Sequence, residues 1–309
     1  MINIMNLEKR FGDTEAVRGV SFTVEQGEFF GLLGPNGAGK TTTVGMLCGL
    51  IEPTSGSIAV GGMEMRRQPG AVKKRLGFVP QDLAFYPTLT ARDNLAFFGR
   101  LYGLWGGRLN RRIDAVLKLV QLAERADEAV KVFSNGMKRR LNIAIGLLHE
   151  PAVLVLDEPT VGVDAQSRNA ILENLDALSH SGMTVIYTTH YMEEAQRLCR
   201  RVAIMDRGLL IALDTPSALI RRLGEGLVRM RLANAPDHAV IAELQAAPAI
   251  TVVDARDTSL HLTVRAKEEA LRVVLDIAVV RKLTIQSLDI LEPNLESVFL
   301  NLTGRHLRD

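Results

Sequence analysis

The sequence predicts an α/β chain of two domains: a larger one in which short buried strands alternate with helices, and a smaller α+β one behind it. Three observations carry this. Residues Glu28 to Leu50 read EFFGLLGPNGAGKTTTVGMLCGL, an apolar run of strand length, a glycine-rich stretch, then apolar residues at helical spacing. Two further short apolar runs, Val153 to Leu156 (VLVL) and Met183 to Thr189, read as buried strands with a helix between them. At Gly224-Glu-Gly226 the character changes, and the remainder reads strand, helix, strand, strand, helix, strand.

Composition narrows the classes. The chain has 309 residues, enough for two domains, with 47% hydrophobic and 23% charged residues, as in globular proteins with a substantial core. Net charge is +2, so no whole-chain field argues for nucleic acid. The two cysteines, Cys48 and Cys199, lie far apart, which excludes a disulfide framework or zinc cluster and suits a reducing cytosol. The start, MINIMNLEKRF, has no basic segment followed by an apolar one, so no signal peptide is expected. No apolar run approaches the roughly 18 residues of a membrane span.

The glycine-rich stretch is the most informative. GPNGAGKT fits the phosphate-loop pattern, with Gly34 and Gly39 framing it and Lys40 and Thr41 closing it. A triphosphate needs backbone N–H groups pointing inward, and glycines let the chain wrap that closely. The following helix adds the partial positive charge of its N-terminus. Lys40 is placed to reach the β- and γ-phosphates, and the Thr41 hydroxyl to bind Mg²⁺. Val44, Leu47 and Cys48 share the helix's apolar face.

Ahead of this stretch, Ile2, Ile4 and Leu7 mark an opening strand. Val20 to Val24 alternates as another, turned by Gln26-Gly27 into the strand before the loop. Phe11 is expected in the RFGD turn, where an aromatic could stack on a flat base or simply fill the core. After the loop helix, Pro53 to Gly56 is a turn and Ser57 to Val60 a short strand. The basic residues Arg66, Arg67, Lys73, Lys74 and Arg75 read as a solvated face. Leu76 to Val79 is a strand, followed by Pro80 and Gln81. A Gln there can reach a metal-bound water, or be an ordinary loop residue.

Thr90-Ala-Arg-Asp93 is a capping box opening a helical region from Thr90 to Leu104, with Ile113 to Leu122 a second amphipathic helix. In FSNGMKRRLNIAIGLLHEP, Ser134 reads as an N-cap and Gly136 permits close backbone approach. The helix runs to about His149. Such a start can bind an anion or be only a capped helix. VLVL ends in Asp157-Glu158-Pro159, and two adjacent carboxylates at a strand end are costly unless a cation is near. In phosphate-loop proteins the strand-end Asp holds Mg²⁺, and the next Glu points where water attacks the γ-phosphate. Asp164 caps a helix to about Ser179. His190 follows the strand Met183 to Thr189, where it is structural or hydrogen-bonds a γ-phosphate. A helix (Tyr191 to Arg201), a strand pair turning at Arg207-Gly208 and a helix begun by Pro216 complete this part. Beyond the hinge no nucleotide motif, repeat or low-complexity stretch appears, so a stability or oligomerisation module is the plain reading.

Together these motifs resemble the nucleotide-binding subunit of an ATP-binding cassette (ABC) transporter, over about residues 2 to 220. The resemblance places Phe11 at the adenine-stacking position, and Gly34, Asn36, Gly37, Gly39, Lys40, Thr41 and Thr42 in the phosphate loop. Gln81 falls at the glutamine loop, where it joins Thr41 and Asp157 around Mg²⁺. Ser134 to Met137 falls at the signature motif, Glu158 at the catalytic carboxylate, Val161 to Asp164 at the loop joining two protomers, and His190 at the switch histidine. The signature usually reads Leu-Ser-Gly-Gly-Gln, whereas this chain has Phe133-Ser-Asn-Gly-Met137. Met in the last position is similar to drug- and antibiotic-export ATPases. Asn135 replaces a glycine, and Asn tolerates left-handed backbone better than most residues.

The stretches YTTHYMEEAQRLCRRVAIMDRG and EPNLESVFLNLTGR resemble the drug, antibiotic and nodulation-signal exporter subfamily. The implied fold is a phosphate-loop NTPase cassette over residues 1–223. It would have a mixed-sheet core, an antiparallel β part and a helical subdomain at about 88–150. Behind it, the order strand, helix, strand, strand, helix, strand predicts an α+β ferredoxin-like accessory domain at 224–309. The implied activity is hydrolysis of ATP with Mg²⁺, at sites shared by two copies: Ser134 and Gly136 of one close on the nucleotide of the other. The implied partner is a separate membrane permease, contacted through the region near Gln81 to Asn94, with the ATPase peripheral on the cytoplasmic face. No nucleic acid is expected. The competing reading is a soluble ABC ATPase acting on ribosomes or DNA. A single cassette and no heptad run argue against it.

Overall fold

The computed structural model describes residues 2–223 and 226–303. It opens with an antiparallel hairpin of β1 (Ile2–Phe11) and β2 (Thr14–Val24), with Phe11 directly opposite Thr14. Phe11 thus ends a strand instead of lying in the turn, because cross-strand pairing continues to the last possible residue. β3 (Phe29–Leu33) is buried throughout and leads through the glycine-rich loop into α1 (Lys40–Leu47). β4 (Ser55–Val60) and β5 (Met63–Glu64) complete a four-stranded antiparallel sheet ordered β2-β1-β4-β5. The basic stretch forms a short helix, α2 (Pro69–Arg75), begun by Pro69 and anchored by buried Val72. β6 (Leu76–Val79) then runs toward Gln81.

The helical region comprises α3 (Ala91–Leu101), α4 (Gly106–Leu119) and α5 (Asn135–Leu147), packed on one another. The Thr90 hydroxyl caps α3 by accepting from the Asp93 N–H at 3.0 Å. Next come β7 (Val153–Asp157), α6 (Ala165–His180), β8 (Thr184–Thr189), α7 (Met192–Leu198), β9 (Arg201–Asp206) and β10 (Leu209–Asp214). α7 ends before Arg201 because Arg201 pairs with Phe30 in the sheet and its guanidinium holds the buried Glu28 carboxylate, Nε to Oε1 2.7 Å.

The six-stranded sheet is mixed, ordered β10-β9-β3-β8-β7-β6, with every neighbouring pair parallel except β10 against β9. β3, β7 and β8 are buried along their full length, which is why they read as continuous apolar runs. Leu33 is level with Thr189, and Asp157 with Thr188. The glycine loop, the acidic pair and His190 therefore leave the sheet at one edge, the carboxyl ends of its strands, where α/β sheets bind ligands.

The chain divides into two compact units between Asp214 and Thr215. This falls ahead of the division expected at 223/224, because α8 (Pro216–Arg221) packs on the last helix of the second unit. Gly224 and Glu225 of the expected hinge, and Gly304 and Arg305 of the exporter-like end, lie outside the described residues. The second unit continues with β11 (Gly226–Leu232), α9 (His238–Ala246), β12 (Ile250–Arg256), β13 (Ser259–Val264), α10 (Lys267–Val280), β14 (Ile285–Leu291) and α11 (Leu295–Thr303). Its strands form one antiparallel sheet ordered β12-β13-β11-β14. α9 and α10 bury Val240, Leu244 and Val274 with Val228, Met230 and Leu262 of the sheet.

Candidate nucleotide site

The loop between β3 and α1 is shaped by three glycines with left-handed φ: Gly34 (151°), Gly37 (79°) and Gly39 (100°). Two of them are also sterically required. A Cβ at Gly34 would lie 2.3 Å from the Met205 carbonyl oxygen, and one at Gly39 2.5 Å from that of Ala16. The loop closes over Lys40, which is only 4% exposed. Its ammonium donates to the carbonyls of Gly34 (2.7 Å) and Pro35 (3.0 Å) and pairs with Glu158 Oε1 at 3.1 Å.

Beside this loop lies a cavity of about 740 Å³, lined by Phe11, Asn36, Gly37, Gly39, Lys40, Thr41, Thr42, Gln81 and Glu158. The nine residues come from β1, the loop and α1, and the ends of β6 and β7. Phe11 is half exposed at the rim, with Lys9 Nζ 5.0 Å from its ring centroid. An open aromatic face at the mouth of a polar cavity suits a flat base. Gln81 is fixed through its backbone, its carbonyl accepting from Arg139, whose other nitrogen donates to the Val161 carbonyl at 3.1 Å.

Asp157 and Glu158 are both buried, Glu158 on the cavity wall. Asp157 Oδ1 accepts from the Thr188 hydroxyl at 2.6 Å and from the Thr41 hydroxyl at 3.3 Å. Burial raises its carboxyl pKa above the usual range, against the pull of these two donors. Glu158 has left-handed backbone, φ 46°, uncommon for a residue with a side chain. Its N–H donates to the hydroxyl (2.9 Å) and the carbonyl (3.2 Å) of Thr188, which hold the peptide in that conformation. The carboxylate is thus turned between Lys40, on Oε1, and His190, on Oε2, where Nδ1–H donates at 3.0 Å. A neutral His190 with its proton on Nδ1 offers only a lone pair at Nε2, so it could donate to phosphate from there only when protonated.

Ser134 and Gly136 are absent from this lining. Ser134 caps α5, accepting from the Met137 N–H at 3.2 Å, and is exposed. Gly136 is buried against α6, where a Cβ would meet Ser167 Cβ and Oγ at 2.3 Å. Asn135 is the first residue of α5, so no left-handed backbone is needed there. Sequence reasoning missed Thr188, Ala16, Arg139, and Arg207, which also lines the cavity. None has a motif of its own: each is brought in by sheet register or helix packing. The two cysteines are buried, and burial pushes both thiols up, Cys48 to about 12, so neither is a thiolate at neutral pH.

Oxygen donors of the kind a Mg²⁺ site requires are present: the Asp157 carboxylate and the Thr41 hydroxyl meet at 3.3 Å, and Gln81 lines the adjoining cavity. Among the described residues no group of three His, Cys, Asp or Glu side chains could hold a metal alone. A cation bound here would need phosphate oxygens to complete its shell, the usual arrangement for Mg²⁺ at nucleotide sites.

Known proteins are similar to this chain in sequence and in fold. The profile of the ABC transporter family matches residues 17–161. The linearmycin resistance ATP-binding protein LnrL of Bacillus subtilis (strain 168) is 44% identical, over the whole of both chains. The Nod factor export ATP-binding protein I of Burkholderia lata is 40% identical, over 100% of this chain and 98% of its own. Among solved structures, the ATP-binding subunit of an ABC transporter superposes with a TM-score of 0.65 at 29% identity, covering 72% of this chain and 92% of its own. A dimeric cassette in a post-hydrolysis state with ADP and Pi gives 0.63 at 25% identity, covering 70% and 98%. With a glycine cradle around Lys40, an acidic pair at the end of β7 and full-length relatives of this kind, the chain belongs to the ABC transporter family, as one of its ATP-binding proteins.

Proposed function

We infer that this chain is the ATP-hydrolysing subunit of an exporter, acting on a separate membrane permease from the cytoplasmic face. The observation that carries the chemistry is the position of Glu158, between Lys40 and His190 on the wall of the phosphate-loop cavity. In this reading Phe11 stacks the adenine, and the N–H groups from Asn36 to Thr42 face the phosphates. The β- and γ-phosphates carry more negative charge than one carboxylate, so they draw the Lys40 ammonium away and release Glu158 Oε1. Freed, Glu158 accepts a proton from the attacking water, while His190 holds Oε2. Asp157, Thr41 and Gln81 would hold Mg²⁺, which when bound neutralises charge developing on the phosphate oxygens.

Ser134 and Gly136 lie off the cavity of their own chain, and we assign them to the nucleotide of a second copy. Permease contact is assigned to the segment after Gln81, where Leu83, Tyr86, Leu89 and Phe97 are exposed. Asn94 pins that segment, accepting from the Tyr86 N–H at 2.8 Å and donating to the Tyr86 and Thr90 carbonyls. Among the described residues no helix is long and apolar enough to cross a membrane, so transport here needs a partner that does. The second unit, with its βαββαβ order, is taken as a ferredoxin-like accessory domain, and residues 1–214 as the nucleotide-binding one.

Two measurements test this. Purified protein should hydrolyse MgATP, and Lys40→Ala should lose the activity; a variant within about tenfold of wild type, roughly 1.4 kcal/mol of barrier, sinks the site assignment. A tagged chain should retain an integral-membrane permease through detergent extraction. If mass spectrometry of the bound fraction finds none, the transport reading falls while the ATPase stands.

A further inference from the structure

One hydrogen bond to Glu158 does not fix the plane of the His190 ring. A second contact does. The His190 ring packs on Tyr191, centroids 4.1 Å apart and planes at 38°. Tyr191 is itself anchored, its N–H donating to the Thr189 hydroxyl at 2.9 Å. Over the same tyrosine ring, 3.8 Å from its centroid, lies the Arg168 guanidinium. That distance is short for a cation–π contact, and a flat guanidinium can stack where an ammonium cannot.

Arg168 is not free to leave. Its Nε donates to Glu194 Oε1 at 2.7 Å, and Glu194 is buried at 4% exposure. The other carboxylate oxygen accepts from the Tyr187 hydroxyl at 2.6 Å and the Thr189 hydroxyl at 2.9 Å. Three groups from α6 and β8 thus meet on one buried carboxylate of α7, and a buried charge with this many partners is rigid. Arg168 also belongs to the first turn of α6, its N–H donating to the Asp164 carbonyl at 2.8 Å. Asp164 ends the loop 161–164.

We propose that Tyr191 is a positioning residue for ATP hydrolysis: clamped by the Arg168–Glu194 pair, its ring sets the plane in which His190 presents Nδ1–H to Glu158. The Arg168 backbone ties that plane to the loop 161–164, so a shift of the loop is felt at His190. The proposal rests on the reading that His190 acts through Glu158 in hydrolysis.

The test is a double-mutant cycle on the full chain, read as kcat and KM for ATP and, for slow variants, as single-turnover rates with enzyme in excess. Tyr191→Ala should lower kcat by about tenfold with KM within about twofold, because the group acts on His190 and not on nucleotide. Tyr191→Phe keeps the ring and should match wild type. Arg168→Lys keeps a charge for Glu194 but loses the flat stack, and should lower kcat severalfold by itself. In a His190→Ala background, Tyr191→Ala should cost nothing further. Wild-type kcat in Tyr191→Ala, or an undiminished loss in the His190→Ala background, overturns the positioning role alone. Wild-type kcat in His190→Ala removes the catalytic reading of His190, and this proposal with it.

Discussion

Replacing Lys40 with Met tests the electrostatics of the site without any nucleotide. Met fills nearly the same space, so the packing survives and the charge goes. The Lys40 and Glu158 side chains are 4% and 6% exposed and 3.1 Å apart, so solvent screens the pair very little. Breaking a buried pair by removing one partner costs about 3–5 kcal/mol, because the other charge stays buried. His190 still donates to Oε2, which puts the expected loss at the lower end, about 3 kcal/mol. For a unit of this size about 1 kcal/mol moves the melting temperature by about 2–4 °C, so the drop should be on the order of 6–12 °C. Glu158→Gln in the same chain removes the stranded charge and should restore most of the loss. The assay is thermal unfolding by circular dichroism, in EDTA and without nucleotide, for wild type, both single variants and the double variant. If Lys40→Met melts within about 2 °C of wild type, or the added Glu158→Gln restores nothing, the two groups are not coupled and the proposed release of Glu158 by nucleotide loses its basis.

Other outcomes follow from the same geometry. Gly136→Ala drives a Cβ to 2.3 Å from Ser167 and should destabilise by about 1–3 kcal/mol, with Ser167→Gly restoring the loss; equal melting of Gly136→Ala and wild type refutes the close approach of α5 and α6. Asp157 has a raised carboxyl pKa, so its folded state binds the proton more tightly than the unfolded state. The ionised form is therefore a stability penalty, fully present above the raised value and absent below the usual carboxylate range. Asp157→Asn should melt higher than wild type at pH 7 without Mg²⁺, with the difference shrinking as pH falls into that range; a lower melting point at pH 7 contradicts it. A chain ending at Asp214 should fold and bind ATP, and a folded product that cannot bind places nucleotide residues in the second unit.

What the sequence disclosed follows a physical division. The phosphate loop was legible because its chemistry is contiguous: strand, glycines, Lys40, Thr41 and helix all lie within one short stretch. Asp157 and Glu158 were legible because two acids after VLVL are expensive without a reason. Ser134, Thr90 and Asp164 were readable as caps, since a cap is a local hydrogen bond, and each accepts from the amide expected. Thr188 was not legible: its hydroxyl matters only because β7 and β8 run in parallel register, which no local pattern encodes. The Arg168–Tyr191 contact joins the first turn of α6 to the start of α7 and is equally silent. α2 was hidden because only Val72 faces the core while Lys73, Lys74 and Arg75 dominate the reading. The early end of α7 was hidden for a similar reason. Arg201 belongs by charge to a helix surface, but sheet pairing and buried Glu28 claim it.

In the proposed function, Glu158 activates water at a nucleotide site completed by a second copy of the chain. Light scattering of the Glu158→Gln protein, with and without MgATP, tests it most directly. The amide keeps the shape of the side chain but cannot take the proton, so hydrolysis should stop with nucleotide still bound. Two copies should then stay closed on two ATP molecules, and the mass should double on adding MgATP. Adding Ser134→Arg should abolish the doubling, since its bulk stands where the second chain must approach. A Glu158→Gln protein that binds ATP, fails to hydrolyse it and remains a monomer at high concentration would contradict the shared site, and one that hydrolyses at the wild-type rate would contradict the role of Glu158.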